Sequence, residues 1–137
     1  MSAEWNVAVV RRIVDGINRW DPFIFQELYH PEVVDRDPLV NQGPGANGIK
    51  QAYIRCREAF PDMHITIEDL IAQGDKVAMR YTLRGTHQGE FEGIPATWRK
   101  VTITGIDIYR FSDGKVVEWW HRPDTLALLA QLGAFPS

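Results

Sequence analysis

Apolar residues recur at three- and four-residue spacing from Glu4 to Trp20, at Val10, Ile13, Val14, Ile17 and Trp20, which marks one buried helix face. Asp21-Pro22 then sets a capping side chain ahead of a proline suited to a first helical turn. A short second helix should therefore carry Phe23, Phe25 and Leu28, and Tyr29-His30-Pro31 should end it. Val33 to Asp37 reads as a short strand, and Asn41 to Gly48, with Gly43-Pro44-Gly45 inside it, as a loop. The next helix runs to Phe60 and carries Ile49, Ala52, Tyr53, Cys56 and Phe60 on one face.

After Pro61 the pattern becomes that of strands. His64 to Gln73, a Gly74-Asp75 turn and Lys76 to Thr86 read as a two-residue hairpin. A glycine-rich segment through Gly85, Gly89, Gly93 and Pro95 follows. Val101 to Phe111 and Lys115 to His121 then form a second hairpin around Ser112-Asp113-Gly114. Asp124 caps a last helix, Thr125 to Leu132, and Gly133 stops it. Helices on one face of a bent, mostly antiparallel sheet are the economical α+β arrangement, with residues 1–137 as one domain.

The register of the second hairpin decides which side chains share a face. A two-residue Asp113-Gly114 turn sets Asp107 opposite Trp120, whereas a three-residue loop with a bulge at Gly114 sets it opposite Trp119. The second register divides the chemistry more cleanly and is the one expected. It gathers Thr102, Thr104, Arg110, Glu118 and Arg122 on one face, with Arg110 and Glu118 as diagonal neighbours. Val101, Ile103, Tyr109, Phe111, Val117 and Trp119 share the other. On that apolar face Gly105 lies opposite His121, and Asp107 is diagonal to it. Ionisable groups on an apolar wall are costly unless paired, so an aspartate and a histidine converging there form a candidate acid-base site.

Composition narrows the classes. The 137 residues are 45% hydrophobic, and the net charge of -3 comes from acidic and basic residues scattered along the chain. No basic cluster offers a footprint for nucleic acid, and no apolar run is long enough to span a bilayer, so neither nucleic acid nor membrane is an expected partner. One cysteine, Cys56, sits among core positions, and the N-terminus has no basic segment followed by an apolar run. A soluble protein of the reducing cytoplasm is expected. Five Trp, six Phe and four Tyr are many for this length and suit the wall of a pocket. Asp107 and His121 alone are too few ligands for a stable metal site, and Gly43-Pro44-Gly45 lacks a phosphate-cradling spacing, so neither metal nor cofactor is expected.

Several runs together resemble the SnoaL-like polyketide cyclase (ester cyclase) family. They are Ala72-Gln-Gly-Asp-Lys-Val, Arg80-Tyr-Thr-Leu-Arg-Gly-Thr-His-Gln-Gly-Glu-Phe, Gly93-Ile-Pro, Gly105-Ile-Asp-Ile-Tyr-Arg-Phe and Asp113-Gly-Lys-Val-Val-Glu. Asp124-Thr-Leu-Ala-Leu-Leu-Ala-Gln-Leu-Gly, Tyr29-His30-Pro31 and Phe60-Pro61-Asp62 complete the order. The resemblance implies the cone-shaped fold of the nuclear transport factor two superfamily, with N-terminal helices on the concave face of a curved sheet and homodimers packed through their sheets. It also implies ring closure by intramolecular aldol condensation with no cofactor, using an acidic residue at position 121 within a pattern resembling Glu-His-Trp-Asp.

This chain reads Glu118-Trp119-Trp120-His121 there, and Asp107 corresponds to a family histidine in the preceding strand, so acid and imidazole stand in exchanged places. Further departures are Arg36, where relatives often have histidine, and Trp98, where many have glycine. The expected catalytic pair is His121 as base and Asp107 as its orienting partner. Trp119, Tyr109, Arg36, Trp98, Trp20 and Phe60 are the expected substrate-binding residues, Trp98 and Trp119 narrowing the cavity. His87 reads as structural. The expected function is a cofactor-independent cyclase or isomerase acting on a small hydrophobic, carbonyl-bearing substrate of polyketide or terpenoid type. An epoxide hydrolase-like enzyme and a non-catalytic ligand-binding dimer are the alternatives.

Overall fold

A computed structural model describes residues 2–134. Helix α1, Ala3–Asn18, opens on Ser2, whose hydroxyl accepts the Trp5 N–H at 3.0 Å, and buries Val9, Val10, Ile13, Val14 and Ile17. The helix stops short of Trp20, which adopts a left-handed backbone (φ 64°) and turns the chain. Asp21 Oδ1 accepts the Phe23 N–H at 3.1 Å as a local turn, and helix α2, Ile24–Leu28, begins only beyond it. Phe23 is thus left at the cap position, 64% exposed, while Ile24, Phe25 and Leu28 are buried. Gly16 lets the two helices meet, since a Cβ there would stand 2.4 Å from Ile24 Cγ2.

Strand β1, Tyr29–Asp35, starts four residues before the position the apolar pattern suggested. Its pairing is irregular between Tyr29 and Val34, where Pro31 has no N–H for a ladder. Helix α3, Gly45–Ala59, follows. Then come β2 (His64–Gln73), β3 (Lys76–Thr86), β4 (Lys100–Ser112), β5 (Lys115–Pro123) and α4 (Thr125–Gln131), whose cap Asp124 accepts the Ala127 N–H at 3.0 Å. The sheet order is β1-β5-β4-β3-β2, antiparallel throughout except for the parallel β1–β5 pair. Helices α1 and α3 cover the inner face of this curved α+β sheet, α1 over β2 and β3 and α3 against β1.

The β4–β5 register corrects both alternatives read from the sequence. Asp113 and Gly114 form a two-residue turn, both with positive φ (51° and 79°), and Ser112 pairs with Lys115. A bulge at Val117 then inserts one residue into β5, so the pairing beyond it shifts in the opposite direction from the expected one. Asp107 consequently lies directly opposite His121, Tyr109 opposite Trp119 and Arg110 opposite Glu118. Val116, not Val117, is the buried residue of that stretch. Because the bulge flips the side-chain parity, Trp119 and His121 still reach the inner face.

Candidate active site

The helices and the inner face of the sheet enclose a cavity of about 220 Å³. Much of its lining is apolar, with Phe25, Phe60, Met79, Leu83, Phe91 and Ile103 prominent. Polar side chains gather where β1, β5, β4 and β3 adjoin: Asp35, His121, Asp107, Tyr109 and Tyr81, with Gln42 from the loop after β1.

Asp107 is only 5% exposed. Tyr109 Oη and Trp119 Nε1 both approach its Oδ2 at a long 3.4 Å, and its Oδ1 has no hydrogen-bond partner among the described residues. Burial pushes the carboxyl up to about 7, against the opposing effects of His121 and of the Trp119 and Tyr109 hydrogen bonds. A carboxyl poised there can take or give a proton near neutrality. Burial, with the nearby Asp107 carboxylate, also holds the phenols of Tyr29, Tyr81 and Tyr109 above their ordinary value. Those hydroxyls remain donors. Tyr81 comes this close because its cross-strand neighbour is Gly105: a Cβ at that position would stand 2.3 Å from the Tyr81 hydroxyl oxygen.

His121 stands opposite Asp107 in the ladder but gives its hydrogen bond elsewhere. Its Nε2 lies 2.7 Å from Asp35 Oδ1. Burial raises the Asp35 carboxyl, yet the hydrogen bond and charge of His121, the Gln42 amide and the Asp37 N–H together hold it below the ordinary aspartate value. The hydrogen bond expected between Asp107 and His121 is thus absent among the described residues, and Asp35 takes the imidazole instead. The Trp119 ring stacks on the imidazole, with centroids 3.8 Å apart and planes 20° from parallel, and faces Tyr109 at 6.0 Å and 15°.

Of the residues singled out from sequence, His121, Asp107, Trp119, Tyr109 and Phe60 line the cavity together. Three others stand outside it. Arg36 points to the outer face, where Glu118 Oε2 accepts its Nε at 2.7 Å, because strand alternation puts Asp35, not Arg36, on the side of buried Val33. Trp98 is 67% exposed on a left-handed backbone (φ 60°) and does not narrow the cavity. Trp20 packs edge-on to Tyr53 and beneath the Arg57 guanidinium, half-exposed. The sequence reading passed over Asp35, Tyr81 and Gln42. Alternation from Val33 and from Val77 was the signal for the first two; nothing local marks Gln42. Cys56 lines the cavity as well, its thiol pushed up to about 11 by burial. No group of three or more His, Cys, Asp or Glu side chains among the described residues is arranged to hold a metal ion.

The family model for SnoaL-like polyketide cyclase matches residues 7–132. The chain belongs to this family. Aklanonic acid methyl ester cyclase DnrD of Streptomyces peucetius is 29% identical over 133 residues, spanning 93% of this chain and 90% of that protein. Among solved structures, TsrD of Streptomyces laurentii is 30% identical with a TM-score of 0.90, covering 98% of this chain and 99% of its own. AclR of Streptomyces galilaeus, described as a candidate hydroxylase, is 31% identical with a TM-score of 0.86 over 98% of this chain and 100% of its own. The five-stranded sheet with N-terminal helices is the SnoaL-like architecture, and the curated relatives are cyclases. In this SnoaL-like chain the Asp107 carboxyl and the His121 imidazole facing the cavity come from β4 and β5 respectively, and a second carboxyl, that of Asp35, comes from β1. Among the described residues, no helix is long and apolar enough to cross a membrane.

Proposed function

We propose that this protein is a cofactor-independent acid-base cyclase that closes a ring in a hydrophobic, polyketide-like carbonyl compound. The observation that carries the reading is Asp107: a buried carboxyl with one oxygen unpartnered, facing an apolar cavity opposite an imidazole. Asp107 as carboxylate removes a proton from the carbon between two carbonyls, and the enolate carbon attacks a second carbonyl carbon of the same molecule. His121 in its protonated form gives a proton to the oxygen that becomes the alcohol. The proton held by Asp107 then returns to the imidazole, so the cycle is neutral overall. Tyr81 and Tyr109, with their hydroxyls close to Asp107, support the enolate oxygen by donation.

A role as base suits Asp107 better than His121. The carboxyl is held near 7 with an unengaged oxygen, whereas the imidazole already gives one nitrogen to Asp35. Among the described residues no Lys or Arg lines the cavity, so an esterified substrate suits it better than a free carboxylate. Aklanonic acid methyl ester, the compound named for DnrD, is the first substrate to offer. Purified protein incubated with it in deuterated water should give a cyclised isomer of unchanged formula apart from deuterium at exchangeable carbon. Asp107→Asn and His121→Ala should each lower turnover by about 100- to 10,000-fold. Labelled water oxygen appearing in the product would instead favour hydrolysis, and tight binding without turnover a carrier role.

A further inference from the structure

Asp35 accepts from three sources, and the pattern defines what it does. Its Oδ1 takes His121 Nε2 at 2.7 Å and the Asp37 N–H at 2.9 Å, and its Oδ2 takes Gln42 Nε2 at 2.8 Å. Both oxygens are committed, so this carboxylate is not free to exchange a proton with a substrate. Gln42 is itself fixed, because its Oε1 accepts the Leu39 N–H at 2.9 Å. The same loop reaches β5 a second time through Asp37, whose Oδ2 accepts the His121 N–H at 2.9 Å and whose Oδ1 pairs with Arg122 Nε at 3.0 Å.

We propose that Asp35 is a positioning residue that holds His121 with Nε2–H turned away from the reaction, leaving Nδ1 as the working nitrogen, and that Gln42 holds Asp35. An ionised carboxylate only accepts, so the nitrogen 2.7 Å from it carries a hydrogen in either charge state of the ring. Nδ1 makes no hydrogen bond among the described residues and is the atom left to serve a ligand. Two contacts fix the ring: stacking on Trp119 sets its plane, and the Asp35 bond sets its rotation within that plane. The acceptor comes from β1, the strand that runs parallel to β5, with Asp35 and Trp119 as ladder partners. That placement explains how a histidine at 121 is kept in a defined orientation although Asp107, across the antiparallel ladder, does not bond to it.

The inference rests on His121 being the proton donor proposed above, and the test separates the two. Asp35→Ala should lower kcat by about 10- to 100-fold with KM changed less than about three-fold, and Asp35→Asn, which keeps an acceptor oxygen, should lose less. Gln42→Ala should lose less still. In ¹⁵N-histidine-labelled protein, assigned with His121→Ala, the Nε2-bound proton of His121 should give a slowly exchanging downfield resonance. That resonance should vanish in Asp35→Ala while thermal unfolding confirms a folded chain. The spectrum needs no substrate, so it decides the point even if the trial ester is not turned over. Should Asp35→Ala not fold, Asp35→Leu, of similar size and with no acceptor, is read by the same two measurements. An unchanged resonance in the variant without an acceptor overturns the proposal, as does a normal kcat in it when His121→Ala is inactive. A normal kcat in His121→Ala overturns the reading of His121 itself.

Discussion

The Tyr81 hydroxyl fills the space that a side chain on its ladder partner Gly105 would need, at 2.3 Å from an ideal Cβ. Gly105 is thereby tied to the cavity: it lets a phenol lie flat across β4 toward Asp107, two residues along the same strand. Gly105→Ala should force Tyr81 aside, costing about 1–3 kcal/mol of stability by overpacking. Because the phenol ring carbons are also close, at 2.5 and 2.9 Å, Tyr81→Phe should not restore the double variant, whereas Tyr81→Ala should. Thermal melts of the three single variants and the two double variants check this.

Asp107 makes the stability of the fold depend on pH in an unusual sense. Its folded-state value, raised by burial to about 7, lies above its ordinary 3.8. Between those values the unfolded chain has released a proton that the folded chain keeps, so Asp107 favours folding most at low pH and this contribution falls as pH rises toward 7. The effect is bounded at roughly 4 kcal/mol. Asp35 acts oppositely: its value is lowered, so its contribution is present above the ordinary aspartate range and is lost in acid. Asp107→Asn should therefore melt higher than the native protein at pH 8, by about 1–3 kcal/mol after allowing for an imperfectly bonded amide, and the gap should close toward pH 4. A gap that stays constant with pH would contradict the burial argument.

In the proposed mechanism the same carboxyl sets the rate. A base must be deprotonated to act, so the acid limb of the kcat/KM profile should rise with pH through a midpoint near 7, and this limb should be missing from the residual activity of Asp107→Asn. Stopped assays from pH 5 to 9 on the methyl ester check both.

How much of this was legible beforehand follows from which interactions are local. The β2–β3 hairpin spans the predicted residues because a two-residue turn and alternating strands are encoded in one short stretch. The β4–β5 turn was one of the two weighed, yet the register beyond it was missed, because the bulge at Val117 is fixed by what the following side chains pack against and not by the turn. Trp119 and His121 sit against Tyr29, Tyr109 and Asp35, which come from two other strands. Trp98 draws notice where relatives have glycine, and Trp20 by the helical spacing that precedes it; their left-handed backbones carry both outside the cavity. Asp35 was hidden for the opposite reason. Its neighbour Arg36 drew the chemistry, while the alternation from Val33 put the aspartate inside.

Those placements lead to a control. Trp98 is exposed and is not among the residues that line the cavity, so Trp98→Ala should leave kcat within about two-fold, while Trp119→Ala, which removes the ring stacked on His121, should lower it by at least about ten-fold. Steady-state kinetics of the two variants side by side give the comparison, and a large loss at residue 98 would place the substrate differently.

The outer face of the sheet is where a second copy of this chain is expected. Ile71, Ala78, Ile108 and Trp120 stand in register on β2, β3, β4 and β5, a single apolar row across four strands. Ile71 is 67% exposed and Ile106 adds a further half-exposed side chain beside the row. Charged residues border it on both sides: Arg80 with Asp69 and Arg122 with Asp37 along one edge, Arg110 and Arg36 with Glu118 along the other. An apolar row rimmed by ion pairs has the anatomy of an interface, and a two-fold axis through it would match the row to itself. On this reading Ile108→Glu converts a dimer to a monomer in sedimentation velocity, with the melting temperature of the variant no longer dependent on protein concentration. Because Ile108 points away from the cavity, turnover per chain should survive the change, which separates assembly from catalysis. A native protein that sediments as a monomer at micromolar concentration would remove the interface and leave the cavity argument untouched.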